Sequence, residues 1–364
     1  MPIFSTLGAF AQYFCRYIVD RPRKRTALAI PASAESVDKM IENTDPMLKI
    51  ISLPRLIFLG LLAIALSGEA QAQEQASVQD ADQQTQALGV GRLFNNDLIG
   101  DGRDRWRTGS YSISLLRGEA WDGALGSFGN GVVEYRFRGE VISPANLTTP
   151  AAGDRLYVGA LSAGAHYHFD YAGYDISAGV DLVAMGEQTG LRGFHVDVHD
   201  ALNQPVVNTQ NFQIEDKFSL HGTLEVAREV TFGEATTLRP FIEVQGGVET
   251  LARAGFDLTL GSFGQGGMRL RDPVTGQRYS AIASDEDQGF SFLMGADVAH
   301  MDRSAYLPES RGYQIEETRY RARLGMNYVL DGFSTFYGVT RLSEEFIGQP
   351  EGQTVGSLAL SWNF

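Results

Sequence analysis

The sequence predicts an all-β fold, a transmembrane antiparallel β-barrel of about twelve strands. Apolar and polar residues alternate with a period of two from residue 88 to the end of the chain, which is typical of strands with two different faces. The alternating segments reach roughly ten residues or more, enough for a tilted strand to cross a bilayer. The last of them ends on an aromatic residue, Phe364. Together these three observations favour a membrane barrel over a soluble β-sheet protein.

The residues before position 88 predict export. An apolar run over 56–66 has a basic flank and is followed by an Ala-Gln-Ala site that ends at Ala72. This arrangement is typical of a secretory signal peptide, which we place at 47–72. Because signal peptides begin a chain, we interpret 1–46 as a misassigned upstream extension. The alternative is a cytoplasmic tail before a membrane anchor, for which the apolar run is short. Residues 73–87 are rich in Gln, Ala and Asp and are expected to form a flexible leader.

The rest of the chain, 88–364, is predicted to be the barrel itself. In 320–330, for example, Tyr320 and Leu324 alternate with polar residues that include Arg321. A soluble sandwich would bury the apolar side between two sheets, whereas a membrane barrel turns that side to lipid and fills its lumen with polar groups. Arginine and glutamate on the polar side of long strands favour the barrel.

Twelve strands are predicted, an even number that suits a single-chain bacterial barrel with both termini in the periplasm. Their ranges are 88–97, 105–117, 129–142, 155–169, 173–184, 214–231, 236–251, 254–264, 287–300, 314–330, 333–345 and 354–364. The connections after the fourth, sixth and tenth strands are short, as periplasmic turns are. The connection 265–286 is an exception, because it is long where a short turn is expected.

The terminal strand predicts the cell compartment. Leu358, Leu360, Trp362 and Phe364 alternate with small or polar residues. A terminal aromatic residue on an amphipathic strand looks like the assembly signal of bacterial outer-membrane barrels. Together with the signal peptide and the strand pattern, it predicts a protein of the bacterial outer membrane.

Composition excludes several other classes of protein. The net charge is −14, from 30 basic and 44 acidic residues, so no nucleic-acid partner is expected. The single cysteine, Cys15, excludes an intrachain disulfide framework and a multi-cysteine zinc site. The mean hydropathy of −0.14 excludes a polytopic helical membrane protein, because only the run 56–66 is apolar enough to approach a helical span.

Several polar residues of the strands are interpreted as filling of the lumen. His166 and His168 face inward by the alternation, and we expect them to be hydrogen-bonded there. Arg321, Arg323 and Glu225 are expected to belong to a structural charge network inside the barrel.

Strand parity brings a set of chemically active residues to the extracellular rim. The rim segments are 95–109, 143–155 and 185–213. The third holds His195 and His199, and the first holds Asn96, Asp97 and Thr108. This rim lies beside the outer leaflet, which contains lipopolysaccharide, whose lipid A carries ester-linked acyl chains.

At these residues the chain resembles the lipid A 3′-O-deacylase family of twelve-stranded outer-membrane barrels. The motifs that carry the resemblance are Asn96-Asp97, Asp104-Arg105, Thr108-Gly109, Gly153-Asp154-Arg155-x-Tyr157, Val198-His199-x-x-Leu202 and Gln213-Ile214-Glu215. They occur in order over essentially all of 88–364. The resemblance implies Ca²⁺-dependent hydrolysis of the ester at the 3′ position of lipid A, with lipopolysaccharide as the partner. We expect a monomer.

The chemistry of ester hydrolysis suggests a role for each residue. The reaction needs a base that activates water and a positive charge at the developing oxyanion. Histidine suits the base at neutral pH, so we assign His199, with His195 as the alternative. Calcium suits the oxyanion, and Asp97 and Asn96 supply the oxygen ligands it prefers. Thr108 is expected to position the substrate or the water.

The chain departs from the family pattern in several places, two of which concern charged residues. The family's acidic calcium ligand shortly after the histidine has no clear match, since position 205 is Pro. Glu187, Asp200 and Glu215 are candidate substitutes, of which we include Glu187 in the metal site. A lysine expected just before Gly-Asp-Arg is Ala152 here.

Alternative interpretations stay open. His195 and His199 are spaced i, i+4 and could bind a transition metal if that stretch is helical, although no third ligand is obvious from the sequence. The chain could also be an inactive barrel of the same fold that acts as a surface or lipopolysaccharide-binding protein. A barrel phospholipase with a serine nucleophile and a passive pore are less favoured.

Overall fold

The structure, a computed structural model, describes most of the chain. The described residues are 85–284, 288–330 and 333–362. The predicted extension 1–46 and the signal peptide 47–72 lie outside them, as do the leader up to residue 84 and the terminal Phe364. Within the described residues no helix is long and apolar enough to cross a membrane.

Strands make up most of the described chain. Their bounds are β1 Gln86–Asn96, β2 Trp106–Gly118, β3 Val132–Ser143, β4 Val158–Tyr171, β5 Tyr174–Met185, β6 Lys217–Ala227, β7 Val230–Phe232, β8 Thr236–Gly246, β9 Glu249–Leu260, β10 Met268–Arg271, β11 Arg278–Ile282, β12 Gly289–Ser304, β13 Thr318–Leu330, β14 Phe333–Leu342 and β15 Gln353–Trp362. One α-helix, α1 (Leu191–Ala201), and two short 3₁₀ helices, Glu187–Thr189 and Glu309–Arg311, occur among these residues.

The antiparallel strands close into a ring. β1 pairs with β2 on one side and with β15 on the other, where Phe94 lies opposite Leu358. β6 and β7 both pair with β8 and are separated only at 228–229, so they form one interrupted barrel strand. The result is a closed twelve-stranded antiparallel barrel, which confirms the predicted fold class.

The two faces of each strand meet different surroundings. On β13 the side chains of Tyr320 and Leu324 are 54% and 58% exposed, whereas Arg321 and Arg323 are buried inside the ring. Phe218, on β6, is 63% exposed on the same outer surface. A sandwich would bury these apolar residues, so the outer belt is the surface that lipid covers in a membrane barrel.

Charged side chains pair inside the lumen, as predicted. Asp297 lies between three arginines: its carboxylate is 3.0 Å from Arg321 Nε and 3.1 Å from Arg253 Nε, and it also pairs with Arg323. Glu225 pairs with Arg239 at 2.8 Å. Each buried carboxylate of this network therefore has guanidinium partners, which is what a buried charge requires.

The long connection 265–286 folds back into the lumen as the hairpin β10–β11. Its Arg271 pairs with Asp257 of β9 at 2.7 Å, and its Gln277 donates to the Leu324 carbonyl of β13 at 3.2 Å. At Gly89 of β1 a Cβ atom would lie 2.1 Å from the Ala281 carbonyl oxygen, so only glycine allows this contact. The hairpin explains the unexpected length of the connection.

One predicted boundary is wrong. We expected strands over 236–251 and 254–264, but β8 ends at Gly246 and β9 begins at Glu249. The reason is a tight turn at Gly247, whose φ of +124° is a backbone conformation that glycine adopts readily and other residues rarely adopt. A Cβ atom at Gly247 would also lie 2.1 Å from the Leu220 carbonyl oxygen. The other predicted strands overlap the observed ones to within a few residues at each end.

Candidate functional site

The loop that follows β1 is organised by Asp97. The main-chain oxygen of Asp97 accepts hydrogen bonds from the N–H groups of Gly100 and Asp101, both at 2.9 Å. Its Oδ2 accepts from the N–H of Arg105 at 2.7 Å and so fixes the far end of the loop. Asn96 accepts from the N–H of Leu98 at 2.8 Å. Asp97 is thus fully buried at the base of a tightly closed rim loop.

The same loop concentrates negative charge. Asp97, Asp101 and Asp104 each have a buried Oδ1 atom without a hydrogen-bond partner in the described structure. Arg105 pairs with Asp101 at 3.2 Å but not with the other two. Burial, together with the charges of Asp104 and Asp101, raises the pKa of Asp97 to about 9. A bound cation would offset the free-energy cost of burying these carboxylates close together.

Helix α1 carries the two histidines of the third rim loop on one buried face. It begins after Gly190, which adopts a left-handed φ of +70°. Leu191, His195 and His199 are its buried residues, and their i, i+4, i+8 spacing places them on one side. This side packs against β3 and β4 of the barrel wall. The two imidazole rings meet edge to face, with centroids 4.4 Å apart.

Both histidines face Asp104 of the first loop. His199 Nε2 lies 2.6 Å from Asp104 Oδ2, and His195 Nε2 lies 3.5 Å from the same oxygen. The ligand atoms of these three residues all lie within 4.8 Å of one another, and they form the one such group of His, Cys, Asp or Glu residues in the described part of the chain. We call this group the rim triad. It contains the third ligand that the sequence did not reveal.

The opposite ring nitrogens are also engaged. His199 Nδ1 lies 2.6 Å from the Pro205 carbonyl oxygen, which can only accept, so Nδ1 carries a proton. His195 Nδ1 lies 3.2 Å from the hydroxyl of Tyr157, a fully buried residue. Position 205, where the resemblance led us to expect an acidic residue, thus contributes a main-chain carbonyl to the site. These contacts orient both Nε2 atoms toward Asp104.

Electrostatics of the rim triad differ from those of Asp97. Burial alone would raise the pKa of Asp104, but hydrogen bonds and the charges of His195 and His199 hold it below its usual range. Burial and the nearby charge of Asp104 raise the pKa of Tyr157, so its hydroxyl keeps its proton. Asp104 is therefore a carboxylate at neutral pH, whereas Asp97 without a cation is not.

The other predicted residues lie on the first two strands beside this loop. Thr108 is buried, and its Oγ1 lies 2.6 Å from Ser143 Oγ of β3. Asn96 pairs with Gly109 across β1 and β2, and a Cβ atom at Gly109 would lie 3.1 Å from Asn96 Nδ2. Trp106, the first residue of β2, is buried and has a φ of +51°, which is a strained backbone conformation for a bulky residue.

The structure does not bring Glu187 to the rim triad. Its carboxylate pairs with Arg192 at 3.1 Å and also accepts from Gln213, and its side chain is 52% exposed. Glu215 is more exposed still, and Asp200 lies on the outer side of α1. The acidic residue that does meet the histidines is Asp104, which the sequence showed only as part of a motif. No local pattern could single it out, because its partners come from another loop.

Comparison with known proteins identifies the family. Residues 56–364 match the family model described as "Outer membrane protein LpxR". The solved structure of LpxR from Salmonella typhimurium is similar, with a TM-score of 0.63 and 14% identity over 77% of this chain and 100% of that chain. The β-domain of the Bordetella autotransporter BrkA has a TM-score of 0.39 and 12% identity over 76% of this chain and 99% of that chain. No curated protein matches.

The family match covers most of the chain, and the likeness to the solved LpxR structure supports the closed barrel fold. The lipid-facing belt and the outer-membrane description of the family agree on the compartment. This chain is therefore a bacterial outer-membrane protein that belongs to the LpxR family, the lipid A 3′-O-deacylase family.

Proposed function

We propose that the protein is a Ca²⁺-dependent hydrolase that removes a 3′-linked acyl or acyloxyacyl chain from the lipid A of lipopolysaccharide by means of histidine-activated water. One observation carries the proposal: a buried histidine of α1, His199, is held against an acidic loop at the rim of the barrel wall. The proposed base and the proposed cation ligands thus lie together at the rim, where we expect the outer leaflet to begin.

Access to the site comes from the lipid side. Phe94 of β1 lies opposite Tyr111 of β2, and both side chains are exposed on the outer belt. Asn96 lies two residues further along β1, and therefore on the same face as Phe94. An acyl chain that lies along this part of the wall would bring its ester bond to the level of Asn96 and the acidic loop.

His199 is the base that the contacts favour. Its Nδ1 donates to the Pro205 carbonyl, which fixes the tautomer and leaves Nε2 as the atom that can accept a proton from water. The Asp104 carboxylate accepts a hydrogen bond from Nε2 at 2.6 Å, so Nε2 must give up this proton and water must displace the carboxylate before the water can be activated. His195 stays the alternative base, because its Nε2 is 3.5 Å from Asp104 and is less firmly held.

The residues of the first loop fit a calcium ion. Carboxylate oxygens are the ligands that Ca²⁺ prefers, and Asp97 and Asp104 each present one that is buried and unpaired. The raised pKa of Asp97 reflects a deficit of positive charge that a divalent cation would correct. We propose Asp97 as the main ligand, with Asn96 beside it and Asp104 in the place we first gave to Glu187. When bound, Ca²⁺ supplies positive charge for the developing oxyanion.

Thr108 is proposed to position the substrate or the water. Its hydroxyl forms a pair with Ser143 at the start of the barrel wall, and either oxygen can be the donor. Such a pair can turn one hydrogen toward an incoming oxygen without losing its own hydrogen bond.

A second candidate is an inactive barrel that binds lipopolysaccharide. Both ring nitrogens of His199 are occupied by protein groups, and position 152 lacks the lysine of the family pattern. These two observations favour a site that holds its ligand without hydrolysing it.

One experiment separates the two candidates. Purified barrel, refolded in detergent, is incubated with lipopolysaccharide in the presence of Ca²⁺ or of a chelator, and lipid A is weighed by mass spectrometry. Loss of a 3′ acyl or acyloxyacyl group with Ca²⁺ only supports the hydrolase. An unchanged mass under both conditions, in protein whose gel mobility shows a folded barrel, supports the binding protein instead.

A further inference from the structure

We propose that Asp104, His195 and His199 bind a transition-metal ion of the Zn²⁺ class, at a site that shares Asp104 with the proposed calcium site and differs from it by its two nitrogen ligands. The three residues come from two rim loops that the fold brings together. Two histidines at i, i+4 on one helix face, with a carboxylate from outside the helix, form a donor set found in zinc proteins.

The orientation of the rings supports a metal site. Both Nε2 atoms face the same carboxylate oxygen, at 2.6 and 3.5 Å. Both Nδ1 atoms face an oxygen on the other side, the Pro205 carbonyl for His199 and the Tyr157 hydroxyl for His195. Histidine ligands of metals commonly have this second contact, because it fixes the tautomer and directs the free nitrogen to the ion.

The donor types select the ion. Ca²⁺ takes oxygen ligands, so two imidazole nitrogens disfavour it. Zn²⁺ accepts imidazole and carboxylate together and leaves an open position when the protein supplies three ligands. Asp104 also has its Oδ1 buried without a partner, so the carboxylate has a second oxygen to offer. The two histidines are buried, which keeps the donors in place before an ion arrives.

The site has a consequence for catalysis, and this step rests on the proposed function. An ion held by His199 Nε2 takes the atom that would accept the proton from water. Zn²⁺ is therefore expected to oppose the Ca²⁺-dependent hydrolysis. It would also link α1 to the loop after β1.

Metal binding is tested directly on the full barrel in detergent. A chelator first removes any bound metal, and the chelator is then removed by dialysis. Co²⁺ is added as a spectroscopic probe, and Zn²⁺ affinity is measured by competition with a chromophoric chelator. We expect one ion per barrel. His195→Gln and Asp104→Asn should each weaken binding by at least about tenfold, since even the loss of an orienting partner costs that much.

His221→Gln is the matched control, because His221 lies on β6 outside the rim triad and its loss should leave binding unchanged. Heat-modifiable gel mobility verifies that each variant is folded. Absence of a cobalt absorption band in the folded wild-type barrel overturns the proposal. Equal zinc affinity of His195→Gln and wild type overturns it as well.

The same protein samples are assayed for hydrolysis with Ca²⁺, with and without Zn²⁺. Zinc binding in a barrel that never hydrolyses lipopolysaccharide supports the metal site and counts against the proposed function. Hydrolysis without zinc binding does the reverse. Zinc binding that leaves an active barrel uninhibited overturns the assignment of His199 Nε2 to both roles.

Discussion

The lumen and the rim of this barrel differ in the partners that they give to buried carboxylates. In the lumen Asp297 lies among three arginines, at distances of 3.0 and 3.1 Å for two of them. At the rim, among the described residues, Asp97 accepts from the main-chain N–H of Arg105 but has no guanidinium partner, and the ion-pair partners of Asp104 are His195 and His199. A buried charge with partners of opposite charge is tolerated inside the fold, whereas one without them is costly until a proton or a cation from outside neutralises it. The difference separates the structural charge network from the candidate site, although both are rich in charge.

The largest expected effect is on the rim. His199→Ala removes the proposed base, so hydrolysis of lipopolysaccharide should fall by roughly 10²–10⁴-fold, with the barrel still folded. The rate is measured by mass spectrometry of lipid A at saturating Ca²⁺. His195→Ala is the control and should retain more activity. If His195→Ala lowers the rate more than His199→Ala does, the base is His195, and the roles assigned to His195 and His199 must be exchanged.

A change in the lumen should act on stability alone. Asp297→Asn leaves three buried arginines without their shared carboxylate, and we expect a loss of about 3–5 kcal/mol in the free energy of unfolding. Urea titration followed by gel mobility measures it. Hydrolysis per folded molecule should stay the same. A loss of activity at unchanged stability would show that lumen and rim are coupled and would break the comparison.

The pH dependence of stability should sharpen the contrast. Without Ca²⁺ the folded-state pKa of Asp97 is about 9, above its ordinary value of 3.8. Asp97 then favours the folded state below that ordinary value, and this contribution is lost as the pH rises toward 9. In chelator, the urea midpoint should therefore fall between these limits, and Asp97→Asn should flatten the fall. A wild-type curve as flat as that of Asp97→Asn would contradict the raised pKa.

The smallest effect is expected at Thr108. Thr108→Val keeps the shape of the side chain but removes the hydrogen bond with Ser143, which is worth about 1 kcal/mol. If Thr108 positions the substrate or the water, kcat/KM should fall further than Ser143→Ala lowers it. Equal losses in both variants, matched by equal losses of stability, would mean that the pair is only structural.

Features that depend on local sequence patterns could be predicted, whereas those that depend on contacts between distant segments could not. The period of two is a local property, so the strands and their lipid-facing side could be predicted from it. The tight turn at Gly247 was missed because alternation continues across it. The hairpin in 265–286 was missed because nothing in its sequence says that it folds inward. At the site, the histidines could be found from their spacing, but Asp104 could not, since only the folded barrel brings the two loops together.

The hairpin β10–β11 has a consequence for how the barrel is assembled. Its Ala281 touches β1 at Gly89, and β1 also forms the seam with β15. The hairpin thus rests against the strand that closes the ring. We expect a bulky residue at Gly89 to clash with the Ala281 carbonyl and so to hinder both the seating of the hairpin and the closure of the barrel.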